Sequence, residues 1–200
     1  MLKKIFVYLT TFFFLGSLTI SAAENPSRLR LYSPISTNAT VDSDATATVT
    51  ASGYSLHYVF GFGLGLGTTS SKSKVKGDSS EYTIDSGSMI DISYTFGSEF
   101  TFTLGYGVGS QPVYENKSMT INSQTGNFTN SLLGFGYNLG GFEILLGYRM
   151  VRGSMEIGST IDFMGTPIPI TYKFEDISWD TTDIGFGFTL SLIHISETTS

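Results

Sequence analysis

Strict alternation of apolar residues with small or polar residues is the feature that most constrains the fold of this chain. From Phe100 to Val108, every second residue is aromatic or aliphatic, and the residues between are threonine or glycine. Successive side chains of a β-strand point to opposite faces, so this pattern predicts a strand with one apolar face. The same alternation recurs at residues 54–60, 62–66, 90–96, 133–139, 142–150 and 184–188.

The connections between these segments alternate between short and long. Short glycine-containing turns lie at residues 60–62, 96–99 and 139–141. Long polar stretches, which we expect to be loops, lie at residues 68–88, 110–130 and 152–178. Outer-membrane barrels have short periplasmic turns and long extracellular loops, so the alternation orients every strand. Residues 54–60 then need an ascending strand before them, which residues 28–36 best supply. The sequence predicts an all-β fold, an eight-stranded antiparallel up-and-down transmembrane β-barrel.

The two ends of the chain differ from this pattern. Lys3 and Lys4 precede an apolar stretch that ends in Ser21-Ala22-Ala23, which predicts a secretory signal peptide cleaved after Ala23. From Leu190 onward, the sequence resembles the translation of an adapter used in DNA library preparation, so we expect the native barrel to end near Thr189. The expected organisation is a signal peptide at 1–23, an outer-membrane β-barrel at 24–189 and a tail of doubtful origin at 190–200.

Composition excludes several classes of protein. The net charge of -6 argues against a nucleic-acid binder, which needs a basic surface for phosphates. The absence of cysteine excludes a lipoprotein, a disulfide framework and a cysteine metal site. A soluble ligand-binding barrel is one alternative, but the apolar face carries more large side chains than an eight-stranded interior can hold. The opposite face is rich in glycine, which suits a cramped lumen.

The repeated Tyr-x-Phe-Gly hairpin, with FTFTLGYG at 100–107 and GFGF at 185–188, carries a resemblance to a known family. Over about residues 45–190, the chain resembles the outer-membrane β-barrel domain family, which includes small eight-stranded porin-like proteins. The resemblance implies a barrel in the cell outer membrane of a Gram-negative envelope. Members of that family serve envelope integrity, adhesion or narrow permeation, so the resemblance implies no particular activity.

Charged residues on the face opposite the apolar one are few and are expected inside the barrel. An unpaired charge in a low-dielectric lumen is costly, so we expect these residues to pair across strands and close the barrel. Glu143 and Arg149 lie too far apart along one strand to meet, and each should find a partner on a neighbouring strand. The inward set comprises Arg28, Arg30, His57, Asp91, Glu143, Arg149 and Asp183.

An outer-membrane lipid-modifying enzyme is the second alternative, since Ser55 and His57 share one strand face in the arrangement of a nucleophile and its base. Nothing else indicates catalysis, and we predict no catalytic residue, no cofactor-binding residue and no metal site. The role expected is structural or surface interaction, with narrow permeation as a further option.

The expected partners are outer-membrane lipid, lipopolysaccharide and the barrel-assembly machinery, with no nucleic acid and a monomeric state. Aromatic residues beside the short turns, Tyr58, Phe60, Tyr94, Phe96, Tyr137 and Phe142, are expected to form a girdle at one membrane interface. Lys72, Lys74 and Lys76 are expected in the first outer loop, where they could contact lipopolysaccharide phosphates. The apolar stretch at 155–172 is expected to bind a partner or to form a protruding strand.

Overall fold

Antiparallel strands account for nearly all of the residues that the computed structural model describes, which are 26–38, 48–76, 81–116, 119–164 and 166–190. The strands are β1 (Ser27–Asn38), β2 (Thr48–Val59), β3 (Leu64–Lys76), β4 (Glu81–Phe96), β5 (Phe100–Gly109), β6 (Val113–Asn116), β7 (Ile121–Asn138), β8 (Phe142–Phe163) and β9 (Thr166–Leu190). Within those ranges, no helix has the length and hydropathy needed to cross a membrane. The predicted signal peptide and residues 191–200 lie outside the described residues.

Eight of these strands close a ring. Each strand pairs antiparallel with its neighbour in the order β1, β2, β3, β4, β5, β7, β8, β9, and β9 pairs back onto β1. In this last ladder Leu31 lies opposite Phe186, and the register continues to Ser27 opposite Leu190. The short strand β6 stands outside the ring and pairs with β4 alone. The predicted eight-stranded barrel is confirmed, including the first strand at residues 28–36.

The two ends of the barrel differ in height. At one end, which we call the short-turn end, β2 and β3, β4 and β5, and β7 and β8 are joined by turns of three or four residues. Gly97 in one of these turns has a φ of 85°, a conformation that glycine adopts without strain. At the other end, the extended end, β8 and β9 continue as a paired hairpin to Phe163 opposite Thr166.

The expectation that residues 68–88, 110–130 and 152–178 are loops is wrong for most of their length. β3 and β4 continue through much of the first stretch, β7 occupies residues 121–130 of the second, and β8 and β9 occupy nearly all of the third. The strands therefore continue well beyond the apolar alternation. From Arg152 to Phe163, β8 extends about 36 Å along its own direction. The stretch at 155–172 was expected to bind a partner or to form a protruding strand, and it forms a protruding hairpin of two paired strands.

An apolar belt surrounds the barrel next to the short-turn end. On β8 the outward residues from Phe142 to Met150 are all apolar or aromatic, which corresponds to about 26 Å along a strand. The belt ends where Tyr148 donates a hydrogen bond to Asp180 at 2.7 Å and Arg152 forms an ion pair with the same carboxylate at 2.6 Å. Its exposed members include Leu29, Leu31, Leu56, Tyr58, Leu66, Ile90, Ile92, Leu104, Val108, Phe135, Ile144, Leu146, Ile184, Phe186 and Phe188.

Aromatic rings form contacting pairs at the margin of this belt nearest the short-turn end, where the sequence predicts a girdle. Ring contacts join Tyr58 to Phe60 and Tyr94 to Phe96, each with centroids 4.8 Å apart. Phe100 contacts Tyr137 across the neighbouring ladder at 4.9 Å. All three pairs adjoin short turns, which is the position expected of residues at a membrane interface.

Candidate functional site

The lumen beside the short-turn end is closed by a buried ion pair. Arg30 on β1 donates from Nε and Nη2 to the two carboxylate oxygens of Glu143 on β8, at 2.8 and 2.7 Å. Thr101 donates to the same carboxylate at 2.6 Å, and Arg28 lies 3.5 Å from it. Because β1 and β8 both flank β9, this ion pair spans the inner face of β9. The Arg30 guanidinium also donates to Thr103 on β5, on the opposite side of the ring, at 2.7 Å and so crosses the lumen. We call Arg28, Arg30, Thr101 and Glu143 the lower ion-pair layer.

A second buried polar cluster lies in the lumen farther from the short-turn end. Arg149 on β8 donates from Nε to Asp183 on β9 at 3.0 Å, and Thr181 donates to the same carboxylate at 2.7 Å. Arg149 also donates from Nη1 to the Asn130 side-chain oxygen at 2.9 Å, and the Asn130 amide donates to Asp91 at 2.7 Å. These contacts connect β4, β7, β8 and β9, and we call the cluster the upper ion-pair layer.

The upper ion-pair layer also contains the histidine and serine considered for catalysis. The Ser55 hydroxyl lies 2.6 Å from His57 Nε2, and Asp91 Oδ2 lies 3.1 Å from that same nitrogen. In a nucleophilic triad the serine and the acid contact opposite nitrogens of the imidazole. Here both contact one nitrogen. The Thr69 hydroxyl donates to Asp91, and its oxygen lies 2.8 Å from the Ser55 hydroxyl oxygen. The arrangement is that of a hydrogen-bonded buried cluster.

Apolar side chains fill the lumen between and above the two polar layers. Tyr32, Leu132 and Leu145 separate them, and a larger cluster lies above the upper layer, toward the extended end. We call this larger cluster the apolar cap. It contains Ile84, Met89, Tyr114, Phe128, Val151, Met155, Ile157 and Trp179. Two cavities beside these layers measure about 10 Å³ each, which is about the space that one water needs. The described part of the lumen is therefore packed.

Glycines on the inner face make this packing possible. A Cβ atom at Gly107 on β5 would overlap the Asp91 carboxylate and the Asn130 amide. At Gly187, a Cβ would lie 2.7 Å from a Glu143 carboxylate oxygen. The glycines opposite the apolar stripe therefore leave room for the ion-pair layers, as the sequence predicts for a cramped lumen.

All seven charged or titratable side chains predicted to face inward are buried. They are Arg28, Arg30, His57, Asp91, Glu143, Arg149 and Asp183. Glu143 and Arg149 meet partners on other strands, as expected. Sequence reasoning missed the neutral members of the layers, Thr69, Thr101, Asn130 and Thr181, although the inward position of each follows from its place in the alternation. Among the described residues, no group of three or more His, Asp or Glu side chains could hold a metal ion.

The prediction that the three lysines after Ser71 lie in a loop is wrong. Lys72, Lys74 and Lys76 lie on the outer face of β3. Lys72 forms an ion pair with Asp85 at 2.8 Å, and Lys74 forms one with Glu81 at 3.0 Å, both acids being on the neighbouring β4. Because two of the three ammonium groups have carboxylate partners, this stripe offers less free positive charge than the sequence suggests.

Comparisons with known proteins find similarity to solved structures of outer-membrane proteins. No protein-family model and no curated protein sequence matches the chain. Among solved structures, the outer membrane protein OprG from Pseudomonas aeruginosa is 14% identical with a TM-score of 0.48, covering 84% of this chain and 97% of its own. The outer membrane protein AlkL, solved by solid-state NMR in DMPC lipid bilayers, is 12% identical with a TM-score of 0.49, covering 85% and 92%. OmpT of Vibrio cholerae is 14% identical with a TM-score of 0.31, covering 81% and 52%.

The structure itself defines the class of protein. A closed ring of eight antiparallel strands, an outward apolar belt with aromatic residues at its margin and a polar inner face are the features of a transmembrane β-barrel of the outer-membrane type. In a soluble barrel of this size the large apolar side chains would point inward. Here the alternating apolar stripes of the belt point outward, and the soluble alternative does not fit.

Proposed function

We propose that this barrel is a non-conducting outer-membrane protein whose role is structural or lies in interactions at the surface beyond the membrane. The observation that carries this proposal is the filled lumen, in which two ion-pair layers alternate with two groups of apolar side chains. An ion would have to displace buried charges that have good partners, at a cost of several kcal/mol. Permeation is therefore not the function that the lumen supports best.

The extended end supports the surface role. With the short-turn end in the periplasm, the hairpin of β8 and β9 projects into the medium outside the cell. Its tip carries exposed apolar side chains, including Phe163 and Met164, which is 92% exposed. Lipid and lipopolysaccharide would surround the belt, and the assembly machinery would insert a monomer. These partners are part of the proposal.

Two measurements test the proposal. After expression in a Gram-negative host, the chain should appear in the outer-membrane fraction as a band whose gel mobility shifts on boiling. In planar lipid bilayers the purified barrel should give no stable conductance steps, while a known porin added to the same bilayer should. Steady open-channel currents from the unmodified chain would refute the non-conducting role, and a soluble fraction would refute the location.

A further inference from the structure

The barrel wall is interrupted on one side, above the belt. The ladder between β5 and β7 ends where Gly109 lies opposite Phe128. β5 stops there, and the chain continues into β6, which pairs with β4 through Tyr82–Asp85. In the described part of the chain, no ladder joins β6 to β7. From Ile121 to Asn127, β7 therefore pairs with β8 on one edge only.

The other edge of this segment carries backbone donors and acceptors without a strand partner. In an antiparallel strand, alternate residues direct their N–H and C=O groups to each side, so about half of these groups point away from β8. The Gln124 side chain bridges the gap, because its Oε1 atom accepts a hydrogen bond from the Tyr114 backbone N–H at 2.7 Å. An open edge of this kind is a template for another strand.

A polar cavity of about 830 Å³ adjoins this edge on the outer face of the wall. Thr125 and Asn127 of the edge line it, together with charged side chains from β8 and β9. In β9, Glu175 and Asp176 form a bulge opposite Ser154, since Gly153 pairs with Ile177 and Met155 with Phe174. Arg152 and Lys173, the two cations of the lining, have carboxylate partners in Asp180 and Glu156. Within the described contacts, the two acids of the bulge have no cationic partner, so the cavity favours positive charge.

An aromatic cavity of about 320 Å³ adjoins the same segment at its upper end. Tyr82, Tyr114 and Ile121 line it, together with the acidic residues Glu81 and Glu115. Tyr114 stacks on Tyr82 and on Phe174, with ring centroids 5.7 Å apart in both pairs. Burial raises the pKa of the Tyr82 phenol, so this ring stays uncharged at neutral pH. The stacked rings of this cavity therefore suit aromatic or aliphatic side chains.

We propose that the open edge of β7 binds an extended polypeptide segment of a partner protein as an additional strand. Side chains on one face of the guest strand would be basic or polar and enter the outer cavity, and those on the other face would be apolar and enter the aromatic cavity. Backbone hydrogen bonds supply affinity in this mode of recognition, and pockets for alternate side chains supply specificity. The guest displaces the bond between Gln124 and Tyr114 and moves β6, a strand of four residues.

The proposal gives a partner class to the surface role and rests on that role. Its test uses the full chain in detergent micelles and a fluorescent eight-residue peptide in which lysine or threonine alternates with valine or phenylalanine. Binding is followed by fluorescence anisotropy. A control peptide has the same composition without the alternation. It should bind at least about tenfold more weakly, since its side chains cannot sort to two faces. Both peptides are also measured with empty micelles, to subtract binding to the detergent.

Two N-methylated peptides distinguish strand addition from other binding. In one peptide, every second residue is N-methylated, so that the methyl groups block the edge that bonds to β7. In the other peptide, the intervening residues are N-methylated, and the methyl groups face away from β7. One isomer should lose about tenfold or more in affinity, while the other binds like the parent. Equal binding of the two isomers, equal binding of the non-alternating peptide, or no binding of the parent would each overturn the proposal.

Protein variants locate the site. Glu175→Lys should weaken binding of the basic peptide several-fold, whereas Glu99→Lys, the same charge change at the short-turn end, should leave it unchanged. Both variants should keep the heat-dependent gel shift that reports a folded barrel. Equal effects of the two variants would show that the peptide binds elsewhere. A conducting barrel that still binds the peptide would refute the non-conducting role and leave this site standing, so the two failures are distinguishable.

Discussion

Removal of the Glu143 carboxylate is the most direct test of how the barrel is closed. In the lower ion-pair layer this carboxylate accepts two hydrogen bonds from Arg30 and one from Thr101, and it is the nearest anion to Arg28. Arg30 is 1% exposed, so water cannot replace what the carboxylate supplies. Glu143→Ala leaves two guanidinium groups close together inside the barrel with no acid between them.

The magnitude follows from the burial of both partners. Breaking a buried ion pair by removing one member costs about 3–5 kcal/mol, because the remaining charge stays desolvated. With a urea dependence of about 2 kcal/mol per M, the unfolding midpoint should fall by about 1.5–2.5 M. Glu143→Gln keeps an acceptor oxygen and most of the volume, so it should lose less. The double variant Arg30→Met, Glu143→Leu should also lose less than Glu143→Ala, since it removes the charge that the single variant strands.

Trp179 provides the assay for this series. It is the only tryptophan of the chain, is buried in the apolar cap beside Phe128, and donates from Nε1 to Ser71 at 2.9 Å. Its fluorescence in lipid vesicles across a urea gradient, supported by the gel shift, reports unfolding of the barrel. Glu99→Ala, an exposed acid at the same end, is the matched control and should behave like the unmodified chain. An unchanged midpoint for Glu143→Ala would refute the reasoning that this carboxylate holds the lower layer together.

Three further variants test other parts of the barrel by the same unfolding measurement. Gly107→Ala inserts a methyl group into the upper layer and should cost about 1–3 kcal/mol, whereas Gly141→Ala, which meets open space, should stay within about 0.5 kcal/mol; similar losses for both would contradict the packed lumen. His57→Ala should lower stability by about 2 kcal/mol through a cavity and lost hydrogen bonds, with the lipid A mass spectrum of the host unchanged; altered lipid A that depends on His57 would revive the enzyme. Lys72→Ala breaks an exposed ion pair and should cost less than about 1 kcal/mol, and a larger loss would show that the stripe is part of the fold.

The membrane-spanning part of the fold could be predicted because the membrane imposes a contrast between the two faces of every strand. Lipid requires apolar residues outside, and a narrow lumen requires small or paired polar residues inside, so period two is visible at residues such as Phe100–Val108 on β5. The weakest predicted strand, at residues 28–36, lacked that regularity but was required by the orientation of the turns. Its two arginines proved to be inward residues of the lower layer.

The strands beyond the belt were missed because the contrast between their two faces is the reverse of that in the belt. Above Met150 on β8, the outward residues Arg152, Ser154 and Glu156 are polar, whereas inward residues such as Met155 and Ile157 are apolar and belong to the apolar cap. Polar residues outside a membrane fit a loop or a strand equally well, and here the ladder partner decides. The length of these polar stretches alone led to the prediction that they are loops.

The ion-pair layers show a second limit of sequence reasoning. Alternation placed every luminal charge on the correct face, since that is a local property of one strand. Which charges meet is set by the stagger of the closed ring, which brings Arg30 to Glu143 across the inner face of β9 over 113 positions of sequence. The same stagger brings Ser55, His57 and Asp91 together, yet on one imidazole nitrogen. The sequence therefore predicted correctly that Ser55 and His57 lie close together. Only the three-dimensional arrangement distinguishes a buried hydrogen-bonded cluster from a catalytic one.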